Sequence, residues 1–352
     1  MTSAERHHGR AAVIGSGPAA LAVSIALARR GWTITLHARP HRPDRQSRVD
    51  VLGGSALTTL ARLGISRDDM LAVAQPCPGV WSHWGTDGVS SADYINTPYG
   101  CAWAVDRVAF ESLLSKRAVD AGVAIAESER MHRDDRGWCI LASGCLATPF
   151  GPRSAREYDD KLVALVGTGT MSTSGAPVDA RLMIEAGHDG WTYGIAGPNG
   201  LACIGVITDA LSLSGQRPPL FASGLLARTE RIARLLERLH DAPVVRAMPL
   251  PCRWLPLRAG PKSVRIGDAH ASFDPLAGRG LWEAIRRAEE IALALDTDPA
   301  LLESIERSSK KAYQRYLAER ADFYRDGCIR FGTDFWVRRC LSESIQSEEQ
   351  PI

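Results

Sequence analysis

The residues whose types and spacing could do chemistry lie mainly in two glycine-bearing turns, Gly15-Ser16-Gly17-Pro18-Ala19-Ala20 and the stretch Gly267 to Leu281. In the first, Gly15 permits a sharp bend and Gly17 lets the backbone approach a pyrophosphate. Ala20 takes the third small position, where a helix packs closely on a strand. The amides and dipole of the helix that follows would hold the diphosphate. In the second turn, Asp268 offers a carboxylate to a ribityl or ribose hydroxyl. Pro275, Gly278 and Gly280 bring backbone amides beside a planar ring at the start of another helix. Amides aimed at a ring carbonyl stabilise the negative charge that reduction places there. Either turn alone fits an ordinary βα junction or a capped helix. Together they point to one large cofactor held at both ends, FAD.

Those turns need elements to position them. Ala11-Ala12-Val13-Ile14 is a short apolar run that predicts a strand. Ala19 to Arg30 is rich in Ala and Leu, predicts a helix, and stops at Gly31. Thr33 to His37 alternates and is β-rich, completing a βαβ unit. The end of its second strand should carry an acid for the adenosine ribose, but the chain reads His37-Ala38-Arg39. Adenosine binding is therefore expected to be weaker or differently organised. The basic loop that follows offers Arg39, Arg42, Arg45 and Arg48 either as phosphate contacts or as a solvated surface.

Further along, 55–63 and 106–121 read as helices stopped by Gly64 and Gly122, and 123–126 as a strand. Strand candidates at 162–166 and 202–207 mark a β-rich insertion. The stretch 263–266 is a strand entering the second glycine turn, and 281–295 and 301–324 read as helices. The tail, 342–352, is expected to fray. The fold class expected is α/β: a Rossmann-like FAD-binding domain with an interleaved β-rich substrate domain and a helical C-terminal segment. The first would comprise 1–75, 99–150 and 262–300, the second 76–98 and 151–261, and the third 301–352.

With 352 residues, 45% of them hydrophobic, the chain can bury a large core. A net charge of +2 does not call for a nucleic-acid or anionic-membrane partner. No apolar run approaches the roughly 20 residues that span a bilayer, and Met1 to Arg10 lacks the apolar core of a signal peptide. A cytoplasmic location is the expectation. The eight cysteines form no C-x-x-C pair and read as buried reduced thiols rather than a metal site or disulfide framework. No metal is expected.

The second turn resembles that of FAD-dependent monooxygenases of the p-hydroxybenzoate hydroxylase class. Asp268, Pro275, Gly278 and Gly280 meet their Gly-Asp, Pro and Gly-x-Gly pattern before a helix. Val105-Asp106-Arg107-Val108-Ala109-Phe110, with Leu113 or Leu114, is similar to that class's Asp-Arg…Phe…Leu helix start. The resemblance implies that Arg107 lies near the flavin; by itself it reads equally as a solvated helix-start arginine. Ser82-His83-Trp84-Gly85, Gly100 to Trp103, Glu185 to Tyr193, Thr208-Asp209 and Phe335 to Arg339 resemble tryptophan-halogenase-like flavoproteins, nearest those that mature tryptophylquinone cofactors.

Where flavin halogenases carry Trp-x-Trp-x-Ile-Pro, this chain has Trp191-Thr192-Tyr193-Gly194-Ile195-Ala196, and none of its five lysines matches the halogenase position. Leu141 to Cys145 stands where the class has an Asp-Gly motif, which bears on how the flavin is reduced. The resemblance implies a monooxygenase that hydroxylates an electron-rich ring, its partner being a protein that carries the target tryptophan. Candidate bases are His270 and Asp274, each also readable as a structural group. Two alternatives stay open. One is a monooxygenase or halogenase acting on a small aromatic metabolite; the other is a catalytically weak flavoprotein that holds a precursor protein as an assembly partner.

Overall fold

The computed structural model describes residues 9–39, 47–86, 88–94, 97–127, 137–145, 160–171, 178–241, 243 and 245–340. Arg42, Arg45 and the tail 342–352 lie outside them.

The N-terminal part runs β1 (Arg10–Ile14), α1 (Pro18–Ala28), β2 (Thr33–Ala38), β3 (Val49–Leu52), α2 (Ala56–Arg62), α3 (Arg67–Leu71), β4 (Ala74–Cys77), β5 (Gly79–His83) and β6 (Val89–Asp93). It continues through β7 (Ala102–Asp106), α4 (Arg107–Asp120), β8 (Ala124–Glu127) and β9 (Trp138–Leu141). The middle part holds β10 (Asp160–Thr170), β11 (Leu182–Gly187), β12 (Gly190–Ala196), β13 (Leu201–Asp209), α5 (Pro218–Leu226), α6 (Arg231–Leu236) and β14 (Arg246–Trp254). The chain then forms β15 (Arg258–Gly260), β16 (Ser263–Arg265), β17 (Ala271–Ser272), α7 (Gly280–Thr297) and α8 (Leu301–Phe331).

The first sheet has the order β15-β16-β9-β1-β2-β8 and is parallel except at its β15–β16 edge. Its central strand β1 is buried from Ala11 to Ile14, as expected of a parallel strand covered on both faces. Helix α1 is buried from Pro18 to Leu27 because it is apolar all round and lies between the sheet and its neighbours α4 and α7. The predicted βαβ unit is present, and the chain reverses into β2 at Gly31, with φ +85°. The α/β expectation with a Rossmann-type parallel sheet and a helical C-terminal segment holds.

A second sheet has the order β17-β14-β10-β13-β12-β11-β5-β6, antiparallel except where β11 meets β5. Strand alternation gives it two different faces. On β12, Gly194 faces Ile232 and Leu235 of α6, while Trp191, Tyr193 and Ile195 face the opposite way, toward the first sheet's glycine turns. Glu185 fixes α6 from below, its carboxylate accepting the N–H groups of Glu230, Arg231 and Ile232 at 2.8–3.1 Å. A small antiparallel sheet, β3-β7-β4, bridges the two. No helix among the described residues is long and apolar enough to cross a membrane.

Candidate active site

A cavity of about 570 Å³ opens where these layers meet, within the range of small-molecule and cofactor sites. The two glycine turns form its floor, and they touch. Gly267 has φ +60°, and a Cβ there would lie 2.7 Å from the Cβ of Ala19 in α1. Gly15 has φ +139°, and a Cβ there would stand 2.2 Å from the Ala142 carbonyl oxygen just past β9. At Gly17, Gly278 and Gly280 a Cβ would meet no atom within 4 Å; each lines the cavity and leaves room that a ligand can fill. Neither α1 nor α7 has a side-chain cap at its N-terminus, so two helix starts present amides and positive dipole ends to one space.

Cations and carboxylates line the middle of the cavity. The Asp106 carboxylate caps α4, accepting the Val108 and Ala109 N–H groups at 3.0 Å each, which places Arg107 at the helix start. Arg107 donates to Asp50 at 2.6 Å and to Glu111 at 2.5 Å, and Arg48 donates to the other Asp50 oxygen at 3.0 Å. Burial works to raise the Asp50 carboxyl, but Arg48 and Arg107 together outweigh it and hold the group below its ordinary value. Asp50 in turn raises Arg48. Asp268 lines the cavity and is exposed in the cofactor-free protein; desolvation by the surrounding walls outweighs Arg107 and Arg48 and raises its carboxyl. Arg39 is exposed at the cavity edge.

The far wall is apolar and aromatic, with Leu182, Ile184, Trp191, Tyr193, Leu250 and Phe273. Gly205, directly opposite Tyr193 in the β12–β13 pairing, makes room for that ring: a Cβ there would come within 2.0 Å of it. A floor of amides, a cationic middle and a flat apolar end fit a flavin dinucleotide. The residues that would hold it are Gly15, Gly17, Arg39, Arg48, Arg107, Asp268, Pro275, Gly278 and Gly280, all of which line the cavity. Ala20 lies behind them, fully buried, in a packing position.

The two candidate bases are placed differently from the expectation. His270 is 3% exposed and is not a cavity residue; its ring nitrogens contact the Leu255 carbonyl at 2.6 Å and the Ser309 hydroxyl at 2.7 Å. Burial pushes it down to about 4, so it is neutral at ordinary pH with both nitrogens engaged. Asp274 touches the cavity but is 1% exposed. Its Oδ1 accepts the Leu276 N–H at 2.9 Å, and its Oδ2 accepts from Arg320 at 3.1 Å and from the Tyr324 hydroxyl at 2.6 Å. The Asp274 carboxylate, nearly fully buried and held by three donors, shapes the Pro275–Ala277 turn. The polar atoms of both residues are engaged by backbone and neighbouring side chains, as buried polar groups generally are.

Asp274 belongs to a buried chain of ions that the spacing of residues did not reveal. Arg320 on α8 bridges Asp274 and Asp160, and Arg339 bridges Asp160 at 3.2 Å and Asp209 at 3.0 Å. Sequence reasoning also missed Asp50, Glu111 and Cys145 as cavity residues. The Ala142 to Cys145 segment, read as lacking an expected motif, forms cavity wall because β9 lies beside β1 and ends next to Gly15. The only signal for Asp50 was its position two residues after the basic loop.

No protein-family model matches the chain, and no curated protein matches it in sequence. Solved structures do match in fold. The chain aligns with the peptidyl tryptophan dihydroxylase QhpG, essential for tryptophylquinone cofactor biogenesis, at TM-score 0.73 and 22% identity, over 94% of this chain and 78% of that one. It aligns with CmlS, a flavin-dependent halogenase, at TM-score 0.78 and 20% identity, over 97% of this chain and 70% of that one. PqsL of P. aeruginosa, solved in complex with 2-aminobenzoylacetate, aligns at TM-score 0.65 and 16% identity, over 96% of this chain and 100% of that one. The chain shares the fold of these proteins.

Proposed function

We propose that the chain is a FAD-dependent monooxygenase that hydroxylates an electron-rich aromatic ring, a tryptophan side chain of a partner protein. The observation that carries this reading is a cavity whose floor is two uncapped helix starts and whose far end is an apolar, aromatic wall. Bound there, reduced FAD would supply the two electrons that activate dioxygen. The chain's own residues bind and orient. Amides of α1 with Arg39 take the diphosphate, and Asp268 takes a ribityl hydroxyl. The Pro275–Gly280 turn lies against the ring system, and the wall of Trp191, Tyr193 and Phe273 keeps the reacting end dry. Lys116, Lys262, Lys310 and Lys311 do not line the cavity, which favours hydroxylation over halogenation. The likeness to a peptidyl tryptophan dihydroxylase favours a tryptophan within a polypeptide over a free metabolite.

The test is reconstitution with FAD, reduction, and exposure to isotopically labelled O₂ in the presence of a blocked tryptophan tripeptide, free indole or phenol. Label in the peptide's indole ring supports the reading. Label in the free aromatics alone favours the metabolite alternative, and a protein that cannot take up FAD favours the assembly partner. Asp268→Ala should come off a gel-filtration column colourless while wild type stays yellow. Wild-type affinity for FAD in that variant would put the cofactor elsewhere.

A further inference from the structure

Four carboxylates line the cavity: Asp50, Glu111, Asp268 and Asp274. Asp274 is committed to Arg320, Tyr324 and the Leu276 N–H. Glu111 is held by Arg107 and is 8% exposed. Asp268 sits in the glycine turn, on the side of the dinucleotide. Asp50 differs from all three. It lies on β3, in the bridging sheet, within electrostatic range of Tyr193 on the aromatic wall and of Asp268 on the cofactor floor. Its side chain is 23% exposed. Each oxygen receives one guanidinium hydrogen bond, so each keeps a lone pair for a further donor.

Resting on the monooxygenase reading, we infer that Asp50 is the catalytic carboxylate that takes the ring proton, with Arg48 and Arg107 fixing its two oxygens at the junction of cofactor floor and aromatic wall. The reaction balances as follows. A C–O bond forms at the ring carbon as the O–O bond of activated dioxygen breaks. The proton on that carbon passes to an Asp50 oxygen, restoring aromaticity, and Asp50 then gives it to the departing oxygen. One oxygen atom ends in the ring and the other in water, with both electrons coming from reduced flavin. A ring carbon that has just gained oxygen has lost its aromatic stabilisation, so its proton is far more acidic than a carboxylic acid. A carboxylate kept ionised by two arginines is base enough for that step, and it also stabilises the positive charge spread over the ring.

The experiment compares FAD-loaded wild type with Asp50→Asn and Asp50→Glu, using indole and the blocked tryptophan tripeptide as probes, after melting curves confirm that all three fold. Asp50→Asn should keep FAD affinity within about threefold but lose roughly 100-fold in ring hydroxylation, the consumed O₂ appearing as hydrogen peroxide. Asp50→Glu, which restores the carboxylate, should recover part of the product. Hydroxylation by Asp50→Asn within about threefold of wild type overturns the assignment. If wild type hydroxylates neither probe, the monooxygenase reading fails with these rings, and Asp50 is judged by binding instead. A hydroxyindole titrated into oxidised holoprotein and followed by flavin absorbance should then bind about tenfold more weakly to Asp50→Asn, having lost a charged hydrogen-bond acceptor. Equal affinity overturns it.

Discussion

At the scale of single residues, two glycines of one turn do different work. Gly15 is required by the backbone: φ is +139°, and a Cβ would stand 2.2 Å from the Ala142 carbonyl oxygen. Gly17, at the N-cap of α1 with φ −85°, has ordinary backbone and open space around it. Gly15→Ala should therefore fail to fold or lose several kcal/mol, roughly the 1–3 kcal/mol of a strained backbone plus an overpacking cost of similar size. Gly17→Ala should change the stability of the cofactor-free protein by no more than about 0.5 kcal/mol, while its methyl group occupies space meant for the diphosphate and weakens FAD retention. Chemical denaturation of the apoprotein checks the first arm and FAD titration the second. A Gly17→Ala protein that binds FAD like wild type would show that the turn is a structural βα junction only.

Helix α8 is the element that most exceeds its sequence pattern. It runs to Phe331, seven residues past the predicted Tyr324, ending where Gly332 turns left-handed at φ +59°. Arg320 on it carries the buried link to Asp274 and Asp160, with side-chain exposures of 4%, 0% and 13%. Removing one partner of a buried pair leaves its mate unpaired, at a cost of about 3–5 kcal/mol. Arg320→Met should therefore destabilise by that order and loosen the Pro275–Gly280 turn that Asp274 shapes. Tyr324→Phe removes the hydrogen bond to Asp274 and the one its hydroxyl accepts from Trp191 Nε1 at 3.1 Å, and should cost about 2 kcal/mol. Urea unfolding of the two variants separates them; equal losses would mean that packing rather than charge holds this end of α8. The elements legible in the sequence are those whose pattern is set by local burial: β1, α1, β2, α4 and α7 have long apolar runs or glycine stops. Strands β11, β12 and β14 escaped because their partners are distant or their residues mixed. Arg246 to Trp254 contains two prolines yet pairs with β10 for seven residues. The Asp274–Arg320–Asp160–Arg339–Asp209 chain escaped for a related reason, since residues that far apart acquire their partners only through the fold.

For the molecule as a whole, acid should act in stages whose order follows from where each titrating group is buried. His270 is pushed down to about 4 by burial, so protons bind it more readily in the unfolded chain than in the folded one. With the folded value depressed, stability is fully present above the unfolded value near 6.5 and is lost as pH falls toward about 4, amounting to roughly 3 kcal/mol over that window. Asp50 and Asp209 are also held below their ordinary values: burial opposes ionisation, but the facing arginines and, for Asp209, the Ser212 N–H outweigh it. Their contribution is present above the unfolded carboxylate value and is lost only below it. Asp268, raised by burial, has the opposite sign and gives back a little stability as it protonates. The unfolding free energy of the cofactor-free protein should therefore fall from pH 7 to 5 by an amount set mainly by His270, then steepen below about pH 4 as the arginine-paired aspartates protonate. His270→Gln lowers stability near neutral pH, because its amide replaces an imidazole that satisfies both Leu255 and Ser309, but it removes the titration. Its curve between pH 7 and 5 should be nearly flat. A variant curve parallel to that of wild type would mean that another group controls this range and that His270 is not held neutral by its surroundings.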